Sequence, residues 1–415
     1  MSKNLKKPSF PLYARVLLGV GLGLGMLLGV GWYFADGLVH VYPVRRRVYR
    51  TRVLGLEEGH GHTHVTLTRT PTTERPGVVL LEWSAPGGVQ YAQLGPLLKK
   101  SGLETVRELQ EQDSPLRLGQ LVRASTVGLG TPAQRGLRYL DVTVPGQHGP
   151  APAWLVAAQE QDVGLEAADG SDWVIVTHGY RGLRQDTLRV LPVLSGLALT
   201  ALVITYRNAE GAPSTPQGVY RLSAEEWQDL EAAVRYAEAH GAKRILLYGF
   251  SMGGSISLAF LRYSGLAGRI SGVLLDSPAL EWRALITHHA RRYRLPIPLL
   301  LSRAVAWLTV FKARQDFDAV DHLSVKDTFN VPMLIFHGSA DKTVPIGQVE
   351  GFAHARSDIV EYHRYEGAGH EQAWNKNPQL YEQTVRDFVR RILNPPAETS
   401  QAASQATSPG REKHV

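Results

Sequence analysis

The stretch YGFSMGGS, Tyr248 to Ser255, places one serine between two glycines at the end of an apolar run. The run RILLY before it has the composition of a buried strand, and SISLAFLRY after it has that of a helix. A strand that turns directly into a helix holds the serine in strained backbone geometry, which requires small neighbours such as Gly249 and Gly253. The pattern therefore predicts that Ser251 is presented as a nucleophile and is not merely a small residue in a tight turn.

Short apolar runs alternate with helical stretches from about residue 140 onward. Such alternation predicts an α/β fold, with a mostly parallel sheet covered by helices on both faces. Two earlier runs, LDVTVP and AWLVAA, alternate as an antiparallel pair would and are expected at the edge of this sheet. Both ends of one helix are predicted: Ser223 caps its start, Glu226 completes a capping box and Gly241 ends it. The runs expected to be parallel are WVIVTH, ALVITY, RILLYG, GVLLDS, MLIFHG and IVEYHRY.

A serine hydroxyl is a weak nucleophile and needs a positioned base, here a histidine that a carboxylate orients. His370, in EGAGH, follows the last strand-like run, and Asp341, in HGSADKTVP, follows MLIF. Asp276 is the rival for the acid because it ends the preceding strand, GVLLDS. Three further histidines have simpler interpretations, as turn or strand residues: His178, His337 and His363.

Four motifs, HGYRG, YGFSMGG, HGSADKTVP and GAGH, occur in this order between about residues 140 and 395. Together they resemble the α/β-hydrolase superfamily, in particular its prolyl-oligopeptidase-like, serine-aminopeptidase-like and lipase-like serine hydrolases. The chain order serine, aspartate, histidine is the one expected of that superfamily. The resemblance implies the α/β-hydrolase fold with an eight-stranded sheet, a Ser-Asp-His triad and no cofactor.

Carried over to this sequence, the resemblance implies that Ser251 is the nucleophile, Asp341 the orienting acid and His370 the general base. The oxyanion hole would consist of the backbone N–H groups of Met252, which follows the nucleophile, and of Tyr180, in HGYRG. Such donors stabilise the negative charge that develops on the substrate oxygen and are typically worth about 3 kcal/mol each.

The segment 280–330 departs from the sheet pattern and has the apolar, basic composition of a helical insertion between two strands. In the fold that the chain resembles, such an insertion usually caps the active site, and a cap would suit a lipid-like ester substrate. An ordinary helical packing layer is the alternative. Under the first interpretation, apolar residues of the insertion line the substrate pocket: Trp282, Leu299, Leu300 and Trp307.

An uncharged stretch of 20 residues, 16–35, is long enough as a helix to cross a hydrocarbon core of about 30 Å. We expect one uncleaved membrane anchor, with a cleaved signal peptide as the alternative. Basic residues both precede and follow the span, so the charge rule does not fix its orientation. As in most signal-anchor proteins, the basic tail, 1–15, is expected in the cytoplasm and the large domain outside it. A glycine at every fourth position would allow weak dimerisation through one helix face: Gly21, Gly25 and Gly29.

Residues 48–137 contain short runs such as HVTLTRT and GVVLLEW, which predict a small β-rich accessory region. The segment HGHTH would place His60, His62 and His64 on one face of a strand, but a solvated turn is favoured over a metal site. The tail, 396–415, lacks the apolar residues needed to offset ordering entropy and is expected to be disordered.

Composition limits the classes of function. The absence of cysteine excludes a cysteine nucleophile, and the net charge of +7 is not arranged along an aromatic stripe, so nucleic acid is not expected as a partner. We predict that 138–395 is the catalytic unit of a membrane-anchored serine hydrolase, which acts on small-molecule or lipid-like carboxylic esters through an acyl-enzyme on Ser251. A peptidase or amidase of the prolyl-oligopeptidase-like type, and a catalytically silent binding protein with the same fold, are the alternatives.

Overall fold

One long helix, α1 (Leu12–Val39), opens the part of the chain that the structure describes. The computed structural model describes residues 11–42, 48–59, 61–86, 88–159 and 170–394. Within these ranges, α1 is the one helix that is long and apolar enough to cross a membrane. The predicted disordered tail, 396–415, and most of the basic tail, 1–15, lie outside the described residues.

Six strands follow α1 and close into a small barrel. They are β1 (Thr51–Gly59), β2 (His62–Thr68), β3 (Val79–Ala85), β4 (Gly88–Ser101), β5 (Glu104–Gln112) and β6 (Leu121–Ser125). Their order around the barrel is β1-β2-β5-β4-β3-β6, and neighbours run antiparallel. Side chains alternate between the interior and the surface, so that Val65 and Leu67 of β2 are buried while Thr66 is partly exposed. This barrel is the small β-rich region that the sequence predicts.

The histidines predicted to share one strand face fall at the start of β2. His60 lies outside the described residues. His62 makes an ion-pair contact with Glu108 of β5, and His64 lies opposite Glu57 and Glu108 in the strand register. In the described part of the chain, no group of three or more histidine or acidic side chains is placed to hold a metal ion.

Eight strands form the central sheet. They are β7 (Tyr139–Gly146), β8 (Gly149–Val156), β9 (Asp172–Thr177), β10 (Thr200–Ile204), β11 (Arg244–Phe250), β12 (Ile270–Asp276), β13 (Met333–Gly338) and β14 (Val360–Tyr365). The order across the sheet is β14-β13-β12-β11-β9-β10-β8-β7. The eight strands are not all parallel, because β8 runs antiparallel to both β7 and β10 while the pairs from β10 to β14 are parallel. The carboxyl ends of the parallel strands therefore meet at one edge of the sheet.

Helices cover both faces of this sheet. They are α2 (Leu191–Ser195), α3 (Trp227–Ala239), α4 (Met252–Tyr263), α5 (Trp282–Arg292), α6 (Pro298–Ala313), α7 (Ile346–Ala355), α8 (Ala373–Lys376) and α9 (Pro378–Leu393). Helices α3, α4 and α7 pack on one face, and α2 and α9 on the other. Successive residues of β11 alternate between these two cores, with Ile245 and Leu247 facing the first and Leu246 and Tyr248 the second.

Helix α3 begins at Trp227 and not at the predicted cap, Ser223. Ser223 has a φ of 81°, and its hydroxyl lies 2.7 Å from the hydroxyl of Ser255 in α4. The carboxylate of Glu226 accepts a hydrogen bond from the Ser223 backbone N–H at 2.8 Å. The predicted capping residues therefore form a turn that ties the start of α3 to α4.

Helices α5 and α6 lie in the segment predicted as an insertion, between β12 and β13, and α6 packs against the second half of α1. Ala35 of α1 is buried against Leu301, Val305 and Leu308 of α6. Gly31 permits this close approach, since a Cβ there would lie 3.0 Å from Leu308 Cδ1. The glycines predicted to pair two helices have open space around them, and dimerisation through them stays a prediction: Gly21, Gly25 and Gly29.

Candidate active site

Ser251 lies on the sharp turn between β11 and α4. Its φ of 48° and ψ of −111° fall outside the regions that ordinary residues favour. Two glycines make the turn possible, because a Cβ on Gly253 would lie 2.2 Å from the Thr177 carbonyl oxygen and one on Gly249 would lie 2.5 Å from the Gly253 backbone. The turn holds the Ser251 hydroxyl at the carboxyl end of the sheet, where 7% of the residue is exposed.

The structure brings Ser251, His370 and Asp341 into one hydrogen-bonded line. Ser251 Oγ lies 2.9 Å from His370 Nε2, and His370 Nδ1 lies 2.7 Å from Asp341 Oδ2. Asp341 follows β13 and His370 follows β14, so both reach Ser251 from the carboxyl ends of nearby strands. The other oxygen of Asp341 accepts hydrogen bonds from the backbone N–H groups of Thr343 and Val344 at 2.7 and 3.0 Å, which fixes the carboxylate in orientation.

Nearby carboxylates control the basicity of His370. Burial alone would lower the pKa of His370, but the hydrogen bond and charge of Asp341, with the charges of Glu371 and Asp276, outweigh it and raise that pKa. Burial would raise the pKa of Asp341, but its hydrogen bond to His370 and the histidine charges beside it keep that pKa below its ordinary value. The pair is therefore an ionised carboxylate beside an imidazole suited to accept a proton.

Two backbone N–H groups, those of Met252 and Tyr180, lie on the segments that flank Ser251. Met252 is the first residue of α4, where a backbone N–H has no partner within its own helix. Gly179 lets the neighbouring loop approach, since a Cβ there would lie 3.2 Å from Ser251 Cβ. Within the described part of the chain, neither N–H donates a hydrogen bond to another group. Both donors are therefore open to a ligand oxygen.

The rival acid, Asp276, makes its hydrogen bonds elsewhere. Its carboxylate accepts from the Ser277 hydroxyl at 3.0 Å and from the Tyr381 hydroxyl at 2.9 Å. Burial raises the pKa of Asp276. Of the two candidate acids, Asp341 is thus the one bonded to His370.

An acidic residue beside His370, with 12% of its side chain exposed, was missed by sequence reasoning. Glu371 has a φ of 52°, and its Oε1 lies 3.9 Å from His370 Nε2. Its Oε2 lies 3.5 Å from Arg189, and its backbone N–H donates to the Ser277 hydroxyl at 3.0 Å. Burial raises the pKa of Glu371. The one sequence signal is its position directly after His370, and nothing around Arg189 in the sequence indicates this contact.

The other histidines near the site make structural contacts. His178 Nδ1 lies 2.9 Å from the Gly179 carbonyl oxygen, and burial lowers the pKa of His178 to about 4. His337 is buried, with Nε2 3.2 Å from the Val344 carbonyl oxygen. His363, within β14, contacts an acidic side chain of the same strand at 2.7 Å. None of these three is hydrogen-bonded to Ser251 in the part of the chain that the structure describes.

A cavity of about 480 Å³ extends from Ser251 between α1, α5 and α6. Trp282, predicted as a pocket residue, lies in its wall, and α6 contributes Leu301 and Val305. Leu301 and Val305 are four residues apart and therefore lie on the same face of α6. The opposite face of α6 points away from the cavity. The remaining predicted pocket residues lie on that outer face and do not line the cavity: Leu299, Leu300 and Trp307.

Two parts of the chain match known protein families. Residues 173–384, just over half of the chain, match the model of the alpha/beta hydrolase family. Residues 52–125, which make up the barrel, match a domain of unknown function, DUF8805.

Known proteins resemble a part of the chain. The uncharacterized protein YqkD of Bacillus subtilis is 24% identical over 231 residues, which cover 53% of this chain and 72% of that protein. The esterase Pf2001 of Pyrococcus furiosus is 21% identical with a TM-score of 0.50, over 64% of this chain and 96% of that one. Est1E of Butyrivibrio proteoclasticus, solved with ferulic acid bound, is 17% identical with a TM-score of 0.46, over 61% of this chain and 99% of that one. At these identities the likeness concerns the fold.

Proposed function

The chain belongs to the alpha/beta hydrolase family, and from that premise we propose that it is a membrane-anchored serine hydrolase of carboxylic esters. The observation that carries the proposal is the hydrogen-bonded line from Ser251 through His370 to Asp341. In this proposal residues 138–395 form the catalytic unit and α1 is the membrane anchor. Esterases of the same fold, such as Pf2001, make ester substrates the first class to test.

The reaction begins with attack of Ser251 Oγ on the ester carbonyl carbon while His370 Nε2 takes the hydroxyl proton. Asp341 stabilises the imidazolium that forms. The N–H groups of Met252 and Tyr180 donate hydrogen bonds to the carbonyl oxygen as it becomes negative. Collapse of this intermediate leaves the acyl group on Ser251 and expels the alcohol, which receives its proton from His370.

Water completes the cycle. His370 removes a proton from a water molecule, which attacks the acyl carbon and forms a second tetrahedral intermediate. Its collapse returns the proton to Ser251 Oγ and releases the carboxylic acid. The sum is one ester and one water converted to one acid and one alcohol, so no cofactor takes part in the steps.

Fluorophosphonate labelling of the full chain in detergent tests the activated serine. We expect Ser251→Ala and His370→Ala to abolish labelling, while Ser324→Ala, at an exposed serine outside the site, labels like the parent. Removal of one triad member is expected to lower kcat by about 10⁴-fold or more. A folded parent protein that does not label would contradict the proposal and favour a silent binding protein.

The leaving group is tested separately, because the same triad cleaves esters and amides. We expect the parent to hydrolyse p-nitrophenyl butyrate, with turnover lost in Ser251→Ala. Peptide p-nitroanilides are the matched amide substrates, since the ester releases coloured p-nitrophenolate and the anilide releases coloured p-nitroaniline. Turnover of the anilides with none of the ester would replace the esterase proposal by the peptidase.

A further inference from the structure

The cavity at Ser251 is built in part by the membrane-anchor helix. On one side it is lined by Phe34, Gly37 and Leu38 of α1, and on the other by side chains of α5 and α6. Its lining contains no lysine, arginine, aspartate or glutamate among the described residues. Charged ligands gain little from such a wall, whereas an apolar chain replaces its contacts with water by contacts with protein.

The end of α1 is fixed to the loop that carries one candidate oxyanion donor. The Tyr180 hydroxyl donates a hydrogen bond to the Leu38 carbonyl oxygen at 2.5 Å. Arg181 Nη2 donates to the carbonyl oxygens of Gly37 and His40 at 2.8 and 2.9 Å. These bonds use carbonyl groups that a helix end leaves without partners. Helix α1 therefore has a defined position in the cavity wall.

Helix α6 holds α1 from the other side. Lys312 of α6 pairs with Asp36 at 2.6 Å, and Gly31 lies against Leu308 and Ala304. Together with the buried packing of Ala35, these contacts join α1 to α6 from the middle of α1 to its end.

The length of α1 places the cavity at the level of the lipid hydrocarbon core. The part of α1 before Leu27, where packing on α6 begins, spans Leu12 to Met26, which is about 22 Å of helix and shorter than a hydrocarbon core of about 30 Å. To cross that core, the part of α1 that packs on α6 must also lie in it. The outer face of α6 is mostly apolar, with Trp307 62% and Phe311 73% exposed beside one charged residue, Arg303. The same level of the membrane thus holds the outer face of α6 and one wall of the cavity.

We propose that the cavity is the acyl site for esters of long-chain fatty acids, and that the acyl chain of the substrate enters from the lipid layer along α1. This rests on the proposed ester hydrolysis at Ser251 and adds its substrate class. The long acyl chain lies between α1 and α6, with its carbonyl carbon at Ser251 Oγ. Hydrolysis then releases a fatty acid and the alcohol.

The test uses the full chain in phosphatidylcholine nanodiscs with p-nitrophenyl butyrate and p-nitrophenyl palmitate as probes. The parent is expected to prefer the palmitate in kcat/KM. Gly31→Leu pushes α1 away from Leu308 and is expected to lower kcat/KM for palmitate by about tenfold or more, while butyrate changes by less than about threefold. Gly23→Leu is the matched control, because nothing lies within 4 Å of its added Cβ, and it is expected to keep the parent ratio.

A second variant guards against a folding defect in the first. Val305→Phe narrows the cavity from the α6 side and is expected to shift the preference to shorter acyl chains, with the circular dichroism spectrum of the parent. A parent that prefers butyrate, or a Gly31→Leu variant that loses both esters equally, overturns the acyl-site proposal while labelling leaves the serine hydrolase intact. A parent that neither labels nor hydrolyses butyrate overturns both.

Discussion

His370 contacts the Ser251 hydroxyl through Nε2 and the Asp341 carboxylate through Nδ1, and the charges around it set how activity depends on pH. Protonated imidazole cannot accept the Ser251 proton, so kcat/KM falls as the pH drops through the pKa of His370. Although burial opposes it, the negative charge of Asp341, Glu371 and Asp276 raises that pKa. The acidic limb of the profile is therefore expected above the pH at which an exposed histidine titrates.

Glu371→Gln tests the effect of a nearby carboxylate on the pKa of His370 without replacing Ser251, His370 or Asp341. Removing a negative charge 3.9 Å from His370 Nε2 lowers the pKa of His370, so the acidic limb is expected to move to lower pH by about one unit or less. The measurement is kcat/KM for p-nitrophenyl butyrate against pH. Glu104→Gln, at an exposed carboxylate of the barrel, is the control and should leave the limb in place. A limb that moves to higher pH in Glu371→Gln would contradict the electrostatic account.

The residues of the hydrogen-bonded line could be found in the sequence because each lies in a local motif after a strand. Ser251 is marked by glycines whose absent Cβ atoms the turn requires, and Asp341 by the loop HGSADKTVP. The contact between Glu371 and Arg189 could not be found, because it joins distant segments and neither residue has a local pattern. Local strain is recorded in sequence, whereas long-range charge pairing is not.

The elbow between β11 and α4 depends on backbone room more than on any side chain. Gly253→Ala would place a Cβ 2.2 Å from the Thr177 carbonyl oxygen, so β9 or α4 must shift. We expect a loss of about 1–3 kcal/mol in the free energy of unfolding and, because Ser251 moves, a fall of about 10²-fold in kcat/KM. Gly265→Ala, where nothing lies within 4 Å of the added Cβ, is the matched control. Parent-like activity in Gly253→Ala would show that the elbow tolerates a side chain.

Strands were predicted more closely than helix ends and helix faces. The six parallel runs and the antiparallel edge pair correspond to strands of the sheet, since buried strands have short, apolar, β-branched sequences. The sequence predicts Ser223 as the cap of α3, but the Ser223 hydroxyl lies 2.7 Å from that of Ser255 in α4. Helix α6 has apolar side chains both on its buried face and on its exposed face, so its sequence alone cannot tell which face lines the cavity. Tertiary contacts decide both features.

At the scale of the whole molecule, segments far apart in sequence support both sides of the site. Helix α1 is bonded to the Tyr180 loop, and the barrel is bonded to the segment that follows His370. The Val78 N–H donates to the Asn375 carbonyl oxygen at 2.8 Å, and the Asn375 side chain donates to the Val78 carbonyl oxygen at 3.0 Å. The sequence predicted an anchor and an accessory region but neither contact, because no local pattern specifies which surfaces meet.

The contact between the barrel and the segment after His370 predicts that the barrel supports the position of His370. Gly77 lies at this contact with a φ of 79°, and a Cβ there would lie 1.9 Å from the Asn375 carbonyl oxygen. Gly77→Val is therefore expected to displace the segment after His370 and to lower kcat/KM for p-nitrophenyl butyrate by about tenfold or more. Gly119→Val is matched to it, because Gly119 has a φ of 80° and open space around it.

Both substitutions place a side chain on a left-handed backbone, which costs about 1–2 kcal/mol in each case. The difference in kcat/KM between the two variants therefore reports on the contact between Gly77 and Asn375. The comparison is made at a temperature at which both variants are folded by circular dichroism, with the fluorophosphonate labelling rate as a second measure of Ser251 reactivity. We expect Gly119→Val to lose stability but keep parent-like kcat/KM and labelling. Equal kcat/KM in the two variants would mean that the barrel is attached to the catalytic unit without supporting its histidine, because only Gly77→Val strains the segment that carries His370.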